Sequence, residues 1–130
     1  MSVSIEIKGI NKLMAKLGRV AAIDVLEPPM QRAVLRVQAR MATYPPQRAG
    51  SNYRRTGTLG RRWTTKVTKQ ADGVEGRVGN VTEYAPFVQS ARFQRPPFRG
   101  RWQTDEKVLN EELPAIRRDF EQVVDEALKG

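Results

Sequence analysis

A stretch rich in arginine, proline and glycine in the middle of the chain, YPPQRAGSNYRRTGTLGRRW (Tyr44 to Trp63), most restricts the folds available to it. It contains five arginines, two prolines and three glycines, and it has no carboxylate. Proline and glycine interrupt helices and strands, and no acidic side chain in the stretch neutralises its charge. Regular structure is therefore expected on either side of a long basic loop.

The length of the chain, 130 residues of which 39% are hydrophobic, predicts a single domain over residues 1–130 with one core. The chain has neither cysteine nor histidine, which excludes disulfides, thiolate zinc sites and the commonest general base. No apolar run reaches the roughly 20 residues that span a bilayer, and the start, MSVSIEIKG, is unlike a signal peptide. We therefore expect a protein made and kept in the cytosol until it is assembled into something larger.

The net charge of +9 is unevenly distributed along the chain. Ten lysines and arginines and no acids lie between Pro28 and Ala71, and four arginines and no acids lie between Tyr84 and Thr104. From Asp105 to Gly130 the balance reverses, with eight carboxylates and four basic residues. This asymmetry favours either a polyanionic partner or contacts between copies whose basic and acidic faces meet.

The first half of the chain predicts one strand and two helices. Alternation in SVSIEIKG predicts a half-buried strand, and Asn11 is a candidate cap for a short helix that ends at Gly18. A longer helix is expected to start at Pro28 and Pro29, because proline fits a first turn. Its apolar face contains Met30, Val34, Val37 and Met41, and its opposite face carries Arg32, Arg36 and Arg40, which we interpret as a solvated ridge.

The second half predicts a hairpin followed by C-terminal helices. RRWTTKVTK and VEGRVGNV flank an Asp-Gly turn, and TEYAPFVQS is expected to add a third extended piece at the sheet edge. Thr104 is a candidate helix cap, and Pro114 either kinks that helix or begins another one. The apolar stripe of this region contains Ile116, Phe120, Val123, Val124 and Leu128. The fold class is thus α+β, a small antiparallel sheet packed with two to four helices and carrying long basic loops.

The sequence offers no arrangement of residues for catalysis, so we expect no enzyme activity, no cofactor and no metal. It lacks a Ser/His or Cys/His pair and a phosphate-binding GxxxxGK[ST] loop. The acidic pairs Asp105/Glu106 and Glu111/Glu112 are typical of solvated helix residues, and the first pair also suits a helix N-terminus.

The basic loop has the composition of a nucleic-acid contact. Arg48, Arg54, Arg55, Arg61 and Arg62 are interleaved with Tyr53 and Trp63, and arginine suits bidentate contacts to phosphate. Trp63, however, stands at a strand position where a core role is more common than base stacking. The spacing matches no known DNA-reading or RNA-reading module.

Three segments that follow an Ala/Arg-rich helix carry a resemblance over nearly the full chain. They are RRTGTLGRRW, VGNVTEYAPFVQSA and RPPF, in this order. The chain resembles the tail-completion or minor tail protein family of long-tailed bacteriophages. The matching residues are Thr56, Gly57 and Leu59 in the first segment, Tyr84, Ala85 and Val88 in the second, and Pro97 and Phe98 in the third. The chain departs from the family at Gln89, usually glutamate, at Ala91, usually glycine, and in its longer, more arginine-rich loop before Thr56.

The resemblance implies a structural virion protein without catalytic turnover. Such neck proteins form rings that close the tail tube and dock it to the head connector around the DNA channel. The implied location is the virion tail or neck, and the host cytoplasm before assembly. The implied partners are other copies of the chain, the connector, the tail tube or terminator proteins, and passing double-stranded DNA without sequence preference. The residues expected to face them are Arg48, Arg54, Arg55, Arg61, Arg62, Arg95, Arg99 and Arg101. The alternative is a nucleic-acid-binding accessory protein that acts through the arginine-rich loop.

Overall fold

The computed structural model describes residues 3–7, 19–45, 58–70 and 73–129. The chain forms β1 (Val3–Ile7), α1 (Arg19–Met41), α2 (Thr58–Arg61), β2 (Trp63–Gln70) and β3 (Gly73–Asn80). It continues through α3 (Ala85–Gln89), a 3-10 turn (Pro96–Phe98) and α4 (Asp105–Lys129). The predicted α+β class is confirmed. The short helix predicted after Asn11 and most of the central basic loop lie outside the described residues.

The sheet has three antiparallel strands in the order β1-β3-β2. In the hairpin, Trp63 pairs with Asn80 and Gln70 with Gly73, while Ile5 of β1 pairs with Val78 on the other side of β3. The predicted N-terminal strand and hairpin are therefore confirmed. Strand β3 is central and pairs with β1 on one side and with β2 on the other.

Helix α1 packs directly on this sheet, and Gly76 of β3 permits the close approach. A Cβ at Gly76 would lie 2.6 Å from both Met30 Sδ and Val34 Cγ1. Such distances are too short for real contacts, so only glycine leaves room for the helix here. The predicted apolar face of α1 is confirmed, since Met30, Val34, Val37 and Met41 are all fully buried.

The start of α1 differs from the prediction. The helix begins at Arg19, so Pro28 and Pro29 lie in its interior rather than in its first turn. Interior proline removes a helical hydrogen bond and crowds the preceding turn. Burial offsets this cost, because Leu26, Pro29 and Met30 lie within the core.

The segment TEYAPFVQS was predicted as an extended piece, and this prediction was wrong. It contains α3, with Pro86 in the first turn, where a missing N–H costs nothing. Ala85 and Val88 of this helix are buried in the core. Packing of one short helical face therefore overrides the local β pattern.

Helix α4 is continuous from Asp105 to Lys129, with Pro114 in its interior, so proline does not begin a new helix. The predicted cap is confirmed, because the Lys107 N–H donates to Thr104 Oγ1 at 3.3 Å. The core receives Val108, Ile116, Phe120 and Val124 from α4. Leu128, predicted on the apolar stripe, is 52% exposed.

Candidate arginine-rich interface

The arginine ridge of α1 binds α4. Arg32 donates two hydrogen bonds to Asp119, at 2.8 and 2.9 Å. Arg36 binds Glu112, and Arg40 donates to Glu112 at 3.2 Å. Arg32 and Arg36 remain about half exposed, as expected of a solvated ridge. The charges of the ridge are nevertheless paired within the subunit, because its arginines form ion pairs with carboxylates of α4, which runs antiparallel to α1.

These contacts form a row of ion pairs between α1 and α4, which we call the ion-pair row, and Glu112 is its buried carboxylate. Burial by itself would raise the pKa of Glu112, but hydrogen bonds from Arg36 and Arg40 outweigh it and lower the pKa below its ordinary value. Asp105 is also engaged, since its Oδ1 accepts from the Ala91 N–H at 2.9 Å. Part of the acidic surface expected to face a neighbouring subunit is thus used inside the fold.

The residues of the family-like segments occupy the core more than the surface. Leu59, Ala85 and Val88 are buried together with Trp63, which is 5% exposed and is therefore not a base-stacking platform. Asn80 joins two segments, because its Nδ2 donates to the Leu59 carbonyl at 2.8 Å and its Oδ1 accepts from the Thr82 N–H at 3.0 Å.

The other motif residues lie nearer the surface or outside the described chain. Tyr84 is 44% exposed, Pro97 is exposed, and Phe98 is partly buried. Thr56 and Gly57 lie outside the described residues. Among the described motif residues, Leu59, Ala85 and Val88 therefore act as scaffold, whereas Tyr84 and Pro97 are at the surface.

An aromatic cluster joins the two arginine-bearing segments. The Tyr44 and Trp102 ring centroids are 5.0 Å apart, and Phe98 meets Trp102 edge-on at 6.4 Å. The Tyr44 hydroxyl accepts a hydrogen bond from the Gly60 N–H at 2.9 Å. The same cluster therefore contacts both the segment that contains Arg61 and Arg62 and the segment that follows α3.

The side chain of Gln94 fixes the second of these segments. Its Nε2 lies 2.7 Å from the Val88 carbonyl oxygen and 3.2 Å from those of Phe98 and Trp102. An amide nitrogen has two hydrogens, so three such contacts share donors. This one side chain therefore links helix α3, the 3-10 turn and the backbone at Trp102.

Two arginines of this segment stack on aromatic rings. The Arg95 guanidinium carbon lies 4.4 Å from the Phe87 ring centroid, and that of Arg92 lies 5.1 Å from the Phe93 centroid. Arg92 was not among the predicted site residues, although its place next to Phe93 in the sequence could have indicated an arginine–aromatic contact. Four exposed arginines, Arg62, Arg92, Arg95 and Arg99, lie on the two segments that meet at the aromatic cluster, and we call this set the arginine face.

The structure places the predicted basic residues unequally. Arg61 is exposed beside Arg62, and Arg101 is partly buried. Arg48, Arg54 and Arg55 lie outside the described residues. None of the four arginines of the arginine face forms a salt bridge with a carboxylate in the described part of the chain. This separates them from the arginines of α1's ridge, each of which holds a carboxylate.

Other kinds of site receive no support from the described ranges. They contain no group of three or more acidic side chains placed to hold a metal ion. A shallow cavity of about 230 Å³ between α1 and α4 is lined by Arg32, Arg36, Ile116 and Asp119, whose charged groups belong to the ion-pair row. None of the described helices has the length and apolar character to cross a bilayer.

Comparison with known proteins gives no relative: no family model, no curated protein and no solved structure matches the chain.

Proposed function

We propose that the protein is a structural component of a phage or prophage virion, a ring-forming tail-completion or neck protein. It joins the tail tube to the head connector around the DNA channel. The observation that carries the proposal is the convergence of the family-like segments: Leu59, Ala85 and Val88 share one core, which holds the arginine-bearing segments beside each other at the surface. An arrangement of scaffold residues beneath exposed charge suits a docking protein better than a catalyst.

The charge distribution supports contacts between unlike surfaces of neighbouring subunits. The stretch from Tyr44 to Trp63 carries five arginines and no acid, while Glu106, Glu121, Asp125 and Glu126 remain exposed on α4. Glu112 and Asp119 are committed to α1 and are excluded from this surface. A contact between different surfaces of identical subunits closes into a ring when its rotation permits.

The proposal is tested by deleting the gene from its phage or prophage and examining the particles by electron microscopy. We expect filled heads and complete tails that fail to join, with joining restored by the wild-type gene in trans. Normal particles in the deletion strain would contradict the proposal. Portal, capsid and tail-tube genes beside this gene would support it independently.

A second candidate, a nucleic-acid-binding accessory protein outside the virion, is favoured by the unbalanced charge of the arginine face alone. It predicts that purified particles contain none of the protein. Mass spectrometry of purified virions therefore separates the two candidates.

A further inference from the structure

We infer that the arginine face binds the phosphate backbone of double-stranded DNA without sequence preference. The inference rests on the proposed function for one point only, that the polyanion met by this surface is the DNA passing through the channel. The surface itself is defined by Arg62, Arg92, Arg95 and Arg99.

The first observation is the unbalanced charge. In the described chain Arg32, Arg36, Arg40, Lys69, Arg77 and Lys107 each lie within salt-bridge distance of a carboxylate. Within that same part of the chain the arginine face has no such pair, and the sequence has no acid between Tyr84 and Thr104. Like charges without carboxylate partners oppose the folded state unless counterions or a binding partner neutralise them. A polyanion supplies that neutralisation and gains by releasing its own counterions.

The second observation is the support beneath Arg95. Its guanidinium lies over Phe87 in α3, and its backbone N–H donates to the Phe87 carbonyl at 2.8 Å. A guanidinium stacked on a ring keeps its N–H edge available, and the planar fork matches two phosphate oxygens. Because Arg95 is already held, less rotamer entropy is lost on binding.

The third observation distinguishes phosphates from bases. Phe87 and Phe93 each carry an arginine on the ring, Trp63 is buried, and Trp102 packs against Tyr44 and Phe98. These rings support arginines or fill the core, so they are poorly placed to stack on unpaired bases as single-strand binders require. Contacts by charge alone suit a duplex, whose bases are stacked inside, and they carry no sequence information.

The test measures binding of the full chain to two short labelled duplexes of unrelated sequence over a series of salt concentrations. We expect equal affinities for both, in the roughly micromolar range or weaker, that fall steeply with salt. The variant R92S/R95S/R99S should bind at least about tenfold more weakly at low salt, with a salt slope smaller by about 0.9 for each phosphate that the variant no longer neutralises. Circular dichroism verifies that the variant is folded.

The matched control is R117S/R118S/K129S, which removes the same charge from exposed positions on α4. It should bind almost as the wild type does. Equal weakening in both variants would overturn the inference, because net charge alone would then explain binding. Absence of binding by the wild type at low salt, or sequence-selective and salt-resistant binding, would also overturn it.

Phage complementation separates this inference from the proposed function. If the wild type binds no duplex, yet R92S/R95S/R99S fails to join heads to tails, the arginine face meets an acidic protein: the DNA inference falls and the neck function stands. If the wild type binds duplex as expected, yet deletion leaves particles intact, the neck function falls and the DNA-binding surface stands.

Discussion

The side-chain amide of Gln89 donates a hydrogen bond to the main-chain carbonyl oxygen of Met41 at 2.9 Å, inside the protein. Gln89 is completely buried, and Met41 is the last residue of α1. The bond satisfies a carbonyl that the end of a helix leaves without an intrahelical partner. It also gives a physical reason for an amide rather than a carboxylate at this position, since an ionised carboxylate has no proton to donate.

We expect Gln89→Glu to destabilise the domain by about 2–4 kcal/mol at neutral pH, because it places an unpaired charge against a carbonyl. Burial without a cation raises the pKa of the new carboxyl in the folded state, so the loss should shrink as the pH falls and the carboxyl becomes protonated. Urea unfolding across this pH range measures both effects.

Gln31→Glu, on the exposed side of α1, makes the same chemical change in water and should alter stability by less than about 0.5 kcal/mol. Equal unfolding free energies for Gln89→Glu and Gln31→Glu would show that the hydrogen bond from Gln89 to Met41 does not stabilise the domain.

Glu112→Gln should cost about 1–2 kcal/mol, since it weakens the hydrogen bonds from Arg36 and Arg40, with water screening the half-exposed Arg36. The folded-state pKa of Glu112 is depressed below its ordinary value of 4.5. Its stabilisation is therefore present above that value and is lost as the pH falls through the depressed folded pKa. The unfolding free energy of the variant should vary less with pH in this acid range.

Glu111→Gln is the comparison variant, because Glu111 is 46% exposed and lies 3.6 Å from Arg40. It should change stability by less than about 0.5 kcal/mol. If Glu111→Gln lost as much stability as Glu112→Gln, general attraction between the charged helices, rather than the buried contact at Glu112, would explain the pairing of α1 with α4.

Gly76→Ala should destabilise the domain by about 1–3 kcal/mol, because the added methyl group meets Met30 and Val34 at 2.6 Å. Thermal unfolding measures the loss. The double variant Gly76→Ala/Val34→Ala should show a favourable coupling, as the smaller helix residue makes room. Strict additivity would mean that α1 lies farther from the sheet.

Changing Arg54, Arg55, Arg61 and Arg62 together to serine should leave the domain folded. Arg61 and Arg62 are exposed, and substitution of an exposed charge usually changes stability by under about 0.5 kcal/mol. We expect heads and tails to form separately but not to join, since losing one partner of a desolvated interface charge pair costs about 2–5 kcal/mol. Phage complementation measures joining. Wild-type titres from the variant would contradict this prediction, and the control removes four other basic residues: Lys66, Arg117, Arg118 and Lys129.

Local patterns predicted the elements whose signals lie within a few residues. The alternation before Gly9, the Asp-Gly signal between the hairpin strands and the cap at Thr104 each depend on neighbouring residues. The N-terminal strand, the two hairpin strands and the cap are present in the structure, while Asp72 lies outside the described residues. The interior prolines of α1 and the helix at Ala85–Gln89 depend on burial against distant parts of the chain. Sequence periodicity reflects local spacing only, so it does not predict burial against residues far along the chain.

The candidate site was predicted in charge but not in arrangement. The exposure of Arg62, Arg95 and Arg99 is expected, because arginine is rarely fully buried unless it is paired and their segments contain no acid. The pairing of Arg36 with Glu112 required knowing that α1 and α4 lie antiparallel, 76 residues apart in sequence. Stacking of Arg95 on Phe87 likewise requires the helix that the sequence pattern did not predict.

The aromatic cluster gives the protein a built-in optical reporter. The chain has two tryptophans, of which Trp63 is buried in the core and Trp102 is only partly buried, in the segment that carries the arginine face. Quenching by a dissolved ion such as iodide should therefore reach Trp102 and spare Trp63. A ligand seated on the arginine face would shield Trp102 from the quencher, so an unlabelled protein can report occupancy of this surface through its own emission.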